Sequence, residues 1–395
     1  MKDKVKRDFK NKNGFDLLAL LKDCAKKKDF CRGSKLHGDI SKKKLLQKSP
    51  FLATALINMY AKCGELPKAE QVLEELFVRD VFSWSALISG YVQIGKAHEA
   101  LNCYAQMQRE GVSPNNVTFT CILNACGSVG AIDKGKQLHN EIVSRGLLEE
   151  NIALGNALVD MYAKCGYLSK AEKLVEELPF RNIISWNALI AGYANKGTGE
   201  EALNCFRRMR QDNLLPNAVT FVCTLKACGS LGASDKGQEI HSTIVRGGLL
   251  QGNVILGYAL VDMYAKCGAL AKAQKLHDKL LVRDVVSWSA LISGYANQGQ
   301  SDEALIGFDR MRDEGISPNS VTFLCILKAC GKKGAIDKGK QIHDEIENMK
   351  LLEKDIVLGT ALVDMYVKCD ALAKARQVLK ELHVRDVVSW NALIA

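Results

Sequence analysis

Between Val81 and Asn115 the apolar residues fall into two runs at helical spacing. Trp84, Leu87, Ile88 and Tyr91 form one stripe, which Gly95 interrupts. Ala97, Ala100, Leu101, Tyr104 and Met107 form the next, and Gly111 and Pro114 close it with residue types that stop helices. The pattern predicts a helix–turn–helix of 35 residues. Residues 116–151 repeat it in 36 residues and residues 152–182 in 31, after which the block of three begins again. Tyr60, Tyr162, Tyr264 and Tyr366 are therefore 102 residues apart, as are Trp84, Trp186, Trp288 and Trp390, and His37, His139, His241 and His343. A hairpin this short cannot bury its apolar stripe alone, so self-similarity at a fixed period predicts stacked units rather than one closed globule.

The expected fold is all-α, an α-solenoid superhelix of helix–turn–helix repeats. Carrying the register through places 36-residue units at 14–49, 116–151, 218–253 and 320–355. Units of 31 fall at 50–80, 152–182, 254–284 and 356–386, and units of 35 at 81–115, 183–217 and 285–319. A partial unit occupies 387–395, and residues 1–13 form a basic segment outside the array.

Composition refines this without redirecting it. No stretch approaches 18 uninterrupted apolar residues, so no membrane partner is expected. The formal charge of +10 sits wholly in residues 1–49, which hold 16 Lys+Arg against 6 Asp+Glu, and the repeats from residue 50 onward are net neutral. Total charge is then no argument for nucleic acid; what matters is whether basic residues share a face. Most of the fourteen cysteines keep the 102-residue step inside apolar helical patterns, for example Cys24, Cys126, Cys228 and Cys330. They are expected to be reduced core residues in a reducing compartment. The first residues are basic but few and contain Asp3 and Asp8, which makes a poor transit peptide.

The search for catalytic residues returns little. His139-Asn-Glu141 and His343-Asp-Glu345 match half of a zinc-deaminase signature, but the P-C-x-x-C half is missing. Both histidines hold a position shared with His37 and His241, which reads as packing. Cys121 and Cys126 lack histidines at zinc-finger spacing, and no phosphate-binding glycine loop occurs. No enzyme activity, metal or cofactor is expected.

The motifs NALVDMYAKCG and VVSWNALIA, with the 36/31/35 alternation, resemble pentatricopeptide repeats of the plant PLS class over residues 14–395. The resemblance implies sequence-specific binding of single-stranded organellar RNA, one base per repeat. It further implies a site-recognition role in C-to-U editing, or related transcript processing, in mitochondria or chloroplasts. A deaminase or editing cofactor protein would then act in trans, or a deaminase-like domain would follow this sequence. The partial last unit makes truncation the expectation. A tetratricopeptide-like protein-interaction scaffold is the competing architecture, but its uniform 34-residue unit does not fit the alternation. A nonfunctional gene fragment is the third reading.

If the first helix of each unit lines the binding groove, the fifth residue of a unit and its last residue converge on one base edge. The fifth residues are Thr54, Ser85, Asn156, Asn187, Tyr258, Ser289, Thr360 and Asn391. The last residues are Asp80, Asn115, Asn182, Asn217, Asp284, Asn319 and Asp386. Helix capping alone also favours such residues there. Under the family's pairing rules, Thr54/Asp80 reads G, Ser85/Asn115 reads A, and Asn156/Asn182 and Asn187/Asn217 read C. Ser289/Asn319 reads A, Thr360/Asp386 reads G, Asn391 points to a pyrimidine, and Tyr258/Asp284 is left unread. The 36-residue units offer Leu18, Thr120, Val222 and Leu324 as spacers or weak readers. The implied target is n-G-A-n-C-C-n-n-A-n-G-Y. The second residues Phe51, Phe82, Ala153, Ile184, Ile255, Val286, Val357 and Val388 either sandwich the bases or pack the hairpins. Lys62, Lys164, Lys266 and Lys368 either meet phosphates or are solvated, and Lys22–Lys48 would extend the phosphate track.

Overall fold

The computed structural model describes residues 14–394 apart from 48, 150, 353–354 and 383–386, and every regular element among them is an α-helix. Two compact units divide the chain, one up to Gly192 and one from Tyr193. The first unit contains the helix pairs Gly14–Lys27 with Phe30–Lys42, Pro50–Lys62 with Leu66–Glu74, and Val81–Gln93 with Ala97–Arg109. Asn116–Val129 with Ile132–Ser144 and Ile152–Lys164 with Leu168–Glu177 complete its pairs. The helix Ile183–Lys196 carries the boundary, and Gly199–Gln211 follows it. The second unit continues with Ala218–Leu231 and Ser234–Arg246, Val254–Lys266 and Leu270–Asp278, and Val285–Asn297 and Ser301–Asp313. It closes with Ser320–Lys333 and Ile336–Asn348, Ile356–Lys368 and Leu372–Glu381, and Val387–Ile394.

Within each unit the first helices of successive pairs pack closely against one another, while the second helices pack closely on first helices and meet each other only through long side chains, as in the Lys338–Asp309 and Arg312–Glu345 ion pairs. This two-layer stacking is that of an α-solenoid. First helices are apolar nearly all round because three sides are covered. In Ile152–Lys164, for example, Leu154, Leu158, Val159, Met161 and Tyr162 are buried. Second helices need only one apolar stripe, as Leu168, Ala171, Leu174 and Val175 supply in Leu168–Glu177.

Two repeated devices fix how neighbours meet. Trp84 is buried, and its indole N–H donates to Glu110 (3.3 Å), which also pairs with Arg79 (2.6 Å). Trp288, Glu314 and Arg283 repeat this at 2.9 and 3.0 Å. The second device joins a 13-residue second helix to the next first helix: His139 Nδ1 lies 2.9 Å from the Tyr162 hydroxyl. His37–Tyr60, His241–Tyr264 and His343–Tyr366 keep that bond at 2.9–3.0 Å. Burial holds all four imidazoles below the usual histidine range. Beside this bond Gly135 makes room for Met161: a Cβ there would come within 2.5 Å of its sulfur, and the thioether would have to shift. The shared histidine position thus makes a hydrogen bond as well as packing.

His277 is different. It occupies the place of Leu73, Val175 and Leu379 in the other copies, fully buried 4.3 Å from the Trp288 ring. Neither ring nitrogen has a hydrogen-bond partner among the described residues. Burial first, then the nearby Arg283, pushes its pKa down to about 4. The folded protein holds the neutral ring, whereas the unfolded chain takes up a proton below about pH 6.5. Stability contributed at this site is therefore present above about pH 6.5 and falls as pH drops towards about 4. Replacing His277 by Leu is predicted to raise the urea midpoint and to flatten its decline across that window, measured by circular dichroism from pH 7 to pH 4. An unchanged pH profile would contradict this reading.

Candidate nucleic-acid interface

The stacking leaves one edge of each first helix open, and the second residues lie on it. Phe51, Phe82, Ile184, Ile255, Val286 and Val357 are each 55–76% exposed, and Ala153 is exposed too. Hairpin packing therefore does not account for them. Val117, Val219 and Val321, the equivalent residues in 36-residue stretches, are 51–55% exposed, so the apolar row also runs through hairpins read from sequence as spacers. The Val388 side chain lies outside the described residues.

The fifth and last residues come together beside this row. The Ser85 hydroxyl is 2.6 Å from the Val81 carbonyl oxygen, 2.7 Å from Thr118 Oγ1 and 3.3 Å from Asn115 Oδ1. Ser289 repeats this with Thr322 Oγ1 (2.8 Å) and Asn319 Oδ1 (3.4 Å). Thr118, Thr220 and Thr322, fully buried, support the cluster and were missed from sequence, although polar residues recurring at 102-residue spacing were the available signal. Asn115 caps the helix Asn116–Val129: its Oδ1 accepts from Thr118 N (2.9 Å) and from Thr118 Oγ1 (3.0 Å). Its Nδ2 has no partner among the described residues. Asn319 caps Ser320–Lys333 in the same way. Asp80 caps Val81–Gln93 through Oδ1, accepting from Ser83 N at 2.8 Å. Capping thus engages Oδ1 and leaves an amide donor on the asparagines and a carboxylate acceptor on Asp80.

The other positions vary. Asn156 is buried and its Oδ1 has no hydrogen-bond partner among the described residues, while Asn182 Oδ1 accepts from Ile184 N and Ser185 N. Asn187 is buried in the first unit, and Asn217 caps Ala218–Leu231 in the second. The Tyr258 hydroxyl donates to the Val282 carbonyl (3.3 Å), and burial, then the Asp284 carboxylate, raises the phenol's pKa. Thr360 Oγ1 donates to Ile356 O (3.2 Å), Asn391 is exposed, and Asp386 lies outside the described residues. Of the proposed spacers, Thr120 donates to Asn116 O (2.8 Å), while Leu18, Val222 and Leu324 have no side-chain polar group to offer.

One groove assembles all the proposed parts. A cavity of about 1040 Å³ is lined by Phe51 and Phe82, by Thr54 and Asp80, and by Lys22, Lys26, Lys28 and Lys62. The other recurring lysines are partly neutralised: Lys164, Lys266 and Lys368 pair with Asp160, Asp262 and Asp364 one turn earlier, at 2.6–2.7 Å. Lys62 has Asn58 at that place and no carboxylate partner among the described residues. No three His, Cys, Asp or Glu side chains converge as metal ligands among the described residues, and no described helix is long and apolar enough to cross a membrane. All fourteen cysteines are free, and burial pushes the Cys126 and Cys330 thiols up to about 11.

The PPR repeat family model matches residues 79–128, 181–230 and 283–346, and the PPR repeat model matches 51–81, 117–147 and 156–183. The chloroplastic pentatricopeptide repeat-containing protein At4g18520 of Arabidopsis thaliana is 35% identical over 392 residues, covering 99% of this chain and 63% of that protein. The mitochondrial protein At2g03380 of the same plant is 32% identical, covering 95% and 54%. The chain thus spans between about half and two thirds of the length of these relatives. Among solved structures, pentatricopeptide repeat protein PPR10 in complex with an 18-nt psaJ RNA element superposes with TM-score 0.70 at 20% identity, over 93% of this chain and 56% of that one. PPR10 from maize matches with TM-score 0.59 at 18% identity, over 99% and 67%. At such identity these likenesses speak for the fold alone.

The unequal pairing of the lysines predicts unequal salt effects. In single-stranded RNA titrations at several salt concentrations, Lys62→Gln should shallow the slope of log K against log salt by about 0.7. Lys164→Gln should change it much less, because Asp160 already offsets that charge. Equal effects would contradict the electrostatic ranking.

Proposed function

The chain belongs to the pentatricopeptide repeat family, and from that premise we propose that it binds single-stranded RNA in a sequence-specific manner, one base to each reading unit. The observation that carries this is the division of labour within the last residue of each unit. In Asp80, Asn115 and Asn319, Oδ1 holds the helix cap, which leaves the other group uncommitted for a base: an amide donor on the two asparagines, a carboxylate acceptor on Asp80. On a base's Watson–Crick edge, G and U present a ring N–H, whereas A and C present a bare ring nitrogen. A carboxylate selects the former and an amide N–H the latter. The exposed apolar second residues on either side supply faces for stacking, and Lys22, Lys26, Lys28 and Lys62 supply phosphate contacts at the start of the array. That PPR10 was solved with an 18-nt RNA element supports RNA as the ligand class.

The finer reading keeps the 36/31/35 register of the PLS class, with Phe51, Phe82, Ala153, Ile184, Ile255, Val286, Val357 and Val388 as the sandwich row. Its target is n-G-A-n-C-C-n-n-A-n-G-Y, with Tyr258/Asp284 unread. The protein would act as a site-recognition factor for C-to-U editing or related processing of organellar transcripts, with a deaminase or editing cofactor recruited in trans. Relatives named chloroplastic and mitochondrial support an organellar address. No catalytic role is assigned to this segment.

The test is Asn115→Asp. Aspartate caps equally well here, as Asp80 and Asp284 do, so the fold is retained and only the free group changes from donor to acceptor. Binding of defined RNAs differing at the one base facing Ser85 should switch from preferring A to preferring G, by roughly 1–3 kcal/mol. An unchanged preference in a variant of unchanged melting temperature would overturn the reading register.

A further inference from the structure

The other layer holds a second cavity, of about 490 Å³, between the second helices Gly199–Gln211 and Ser234–Arg246. Its floor is apolar, with Phe206 and Phe221 6.4 Å apart and Ile240 beside them, and Leu215 stands at its rim, 85% exposed. Arg207 and Arg210 line its edge. The same place recurs 102 residues earlier and later, and the protein closes both of those copies with its own charges. In the earlier copy the Arg145 guanidinium lies 5.4 Å over the Phe119 ring and donates to Glu141 (2.6 Å) and to the Pro114 carbonyl (3.3 Å). In the later copy Arg312 lies 5.7 Å over Phe308 and 3.6 Å from Glu345, while Lys338 pairs with Asp309 (2.6 Å).

The middle copy keeps Arg210 and Lys236 in the places of Arg312 and Lys338 but loses the partners that complete the closure in the other copies. Gly247 replaces Arg145, Thr243 replaces the glutamate, Arg207 stands in place of Asp309, and Leu215 replaces Ser113 and Ser317. The guanidinium of Arg210, the equivalent of Arg312, is left without a hydrogen bond or ion pair among the described residues. Arg207 bonds only the Asn204 amide oxygen (3.1 Å), and the Thr243 hydroxyl is turned to the Glu239 carbonyl (3.0 Å). Lys236 is matched by Glu200 (3.2 Å), which leaves two arginines against the single lining carboxylate of Glu239.

We infer that this cleft docks a segment of a partner protein that presents a large apolar side chain next to a carboxylate. The apolar group covers Phe206 and Phe221, and the carboxylate takes the place at Arg210 that Glu345 takes at Arg312. A guanidinium fork and a desolvated aromatic floor are the combination that anchors such a pair. The cavity volume lies within the range of sites that enclose a ligand, and exposed Leu215 extends the apolar contact onto open surface, as an extended chain requires. The inference is independent of the RNA reading, since it concerns the opposite layer.

The test uses the full chain and fluorescence anisotropy with three labelled peptides: Leu-Phe flanked by glutamates, Leu-Phe flanked by glutamines, and Ala-Ala flanked by glutamates. The first is expected to bind saturably and at least about tenfold more tightly than the other two, the effect of one charge-assisted contact. The double variant Thr243→Glu with Gly247→Arg rebuilds the closure of the earlier copy. Gly247 has φ −79°, and a Cβ there would meet nothing nearer than 3.4 Å, so the backbone accepts a side chain. That variant should weaken the first peptide by about tenfold or more while its melting temperature and RNA affinity stay unchanged. Equal binding of the three peptides, no saturable binding of the first, or indifference to the double variant would overturn the proposal.

Discussion

Everything in this protein depends on the burial of each first helix by its neighbours. A single hairpin presents more apolar surface than its own second helix covers, so it becomes stable only with another hairpin on either side. Stacking covers three sides and leaves one edge in water; the chain places its second residues on that edge, with cap residues and buried fifth residues such as Ser85 and Ser289 beside it. Fully burying a side chain the size of Phe or Ile is worth about 1.5–3 kcal/mol. A row of such residues held more than half exposed in hairpin after hairpin forgoes that gain, and a flat aromatic ligand would restore much of it. The stability of the array and the periodicity of the site are two results of one packing constraint.

The contacts that set the spacing are polar groups kept satisfied inside this packing. A buried indole donates to a glutamate that an arginine holds in place, and an imidazole pairs with a tyrosine hydroxyl beside a glycine that admits a methionine. Because second helices meet one another only through long side chains, the clefts between them are left to those side chains to cover, and charged groups over aromatic rings do so in two of three copies. A repeat protein supplies its own controls: where one copy departs from the others, as at His277 or Gly247, the departure can be judged against the residues that fill the same place elsewhere.

The fold was legible in the sequence because the 102-residue step repeats large residues whose only economical use is burial, such as Trp84, Trp186 and Trp288. The meeting of Ser85 with Asn115 was legible for the same reason, since a constant step brings constant positions together. The orientation of Phe51 and Ile184 was not. A helix apolar nearly all round gives no phase from which to tell its open edge from its packed sides, so stacking and hairpin packing were equally compatible with the pattern. The lysines illustrate another limit: Lys164 and Lys62 share a repeat position, and only the residue one turn earlier, Asp160 or Asn58, separates a neutralised charge from an available one. His277 was invisible for a third reason, because a histidine in the last turn of a helix is unremarkable until burial and the lack of partners are seen.

The central claim is that a periodic edge reads RNA in a fixed register. Selection from a randomised single-stranded RNA pool at one moderate salt concentration, followed by sequencing, tests it most directly. The account predicts enrichment of G-A-n-C-C followed at fixed spacing by A and G. Binding without sequence preference, or no binding by the folded protein, would contradict it.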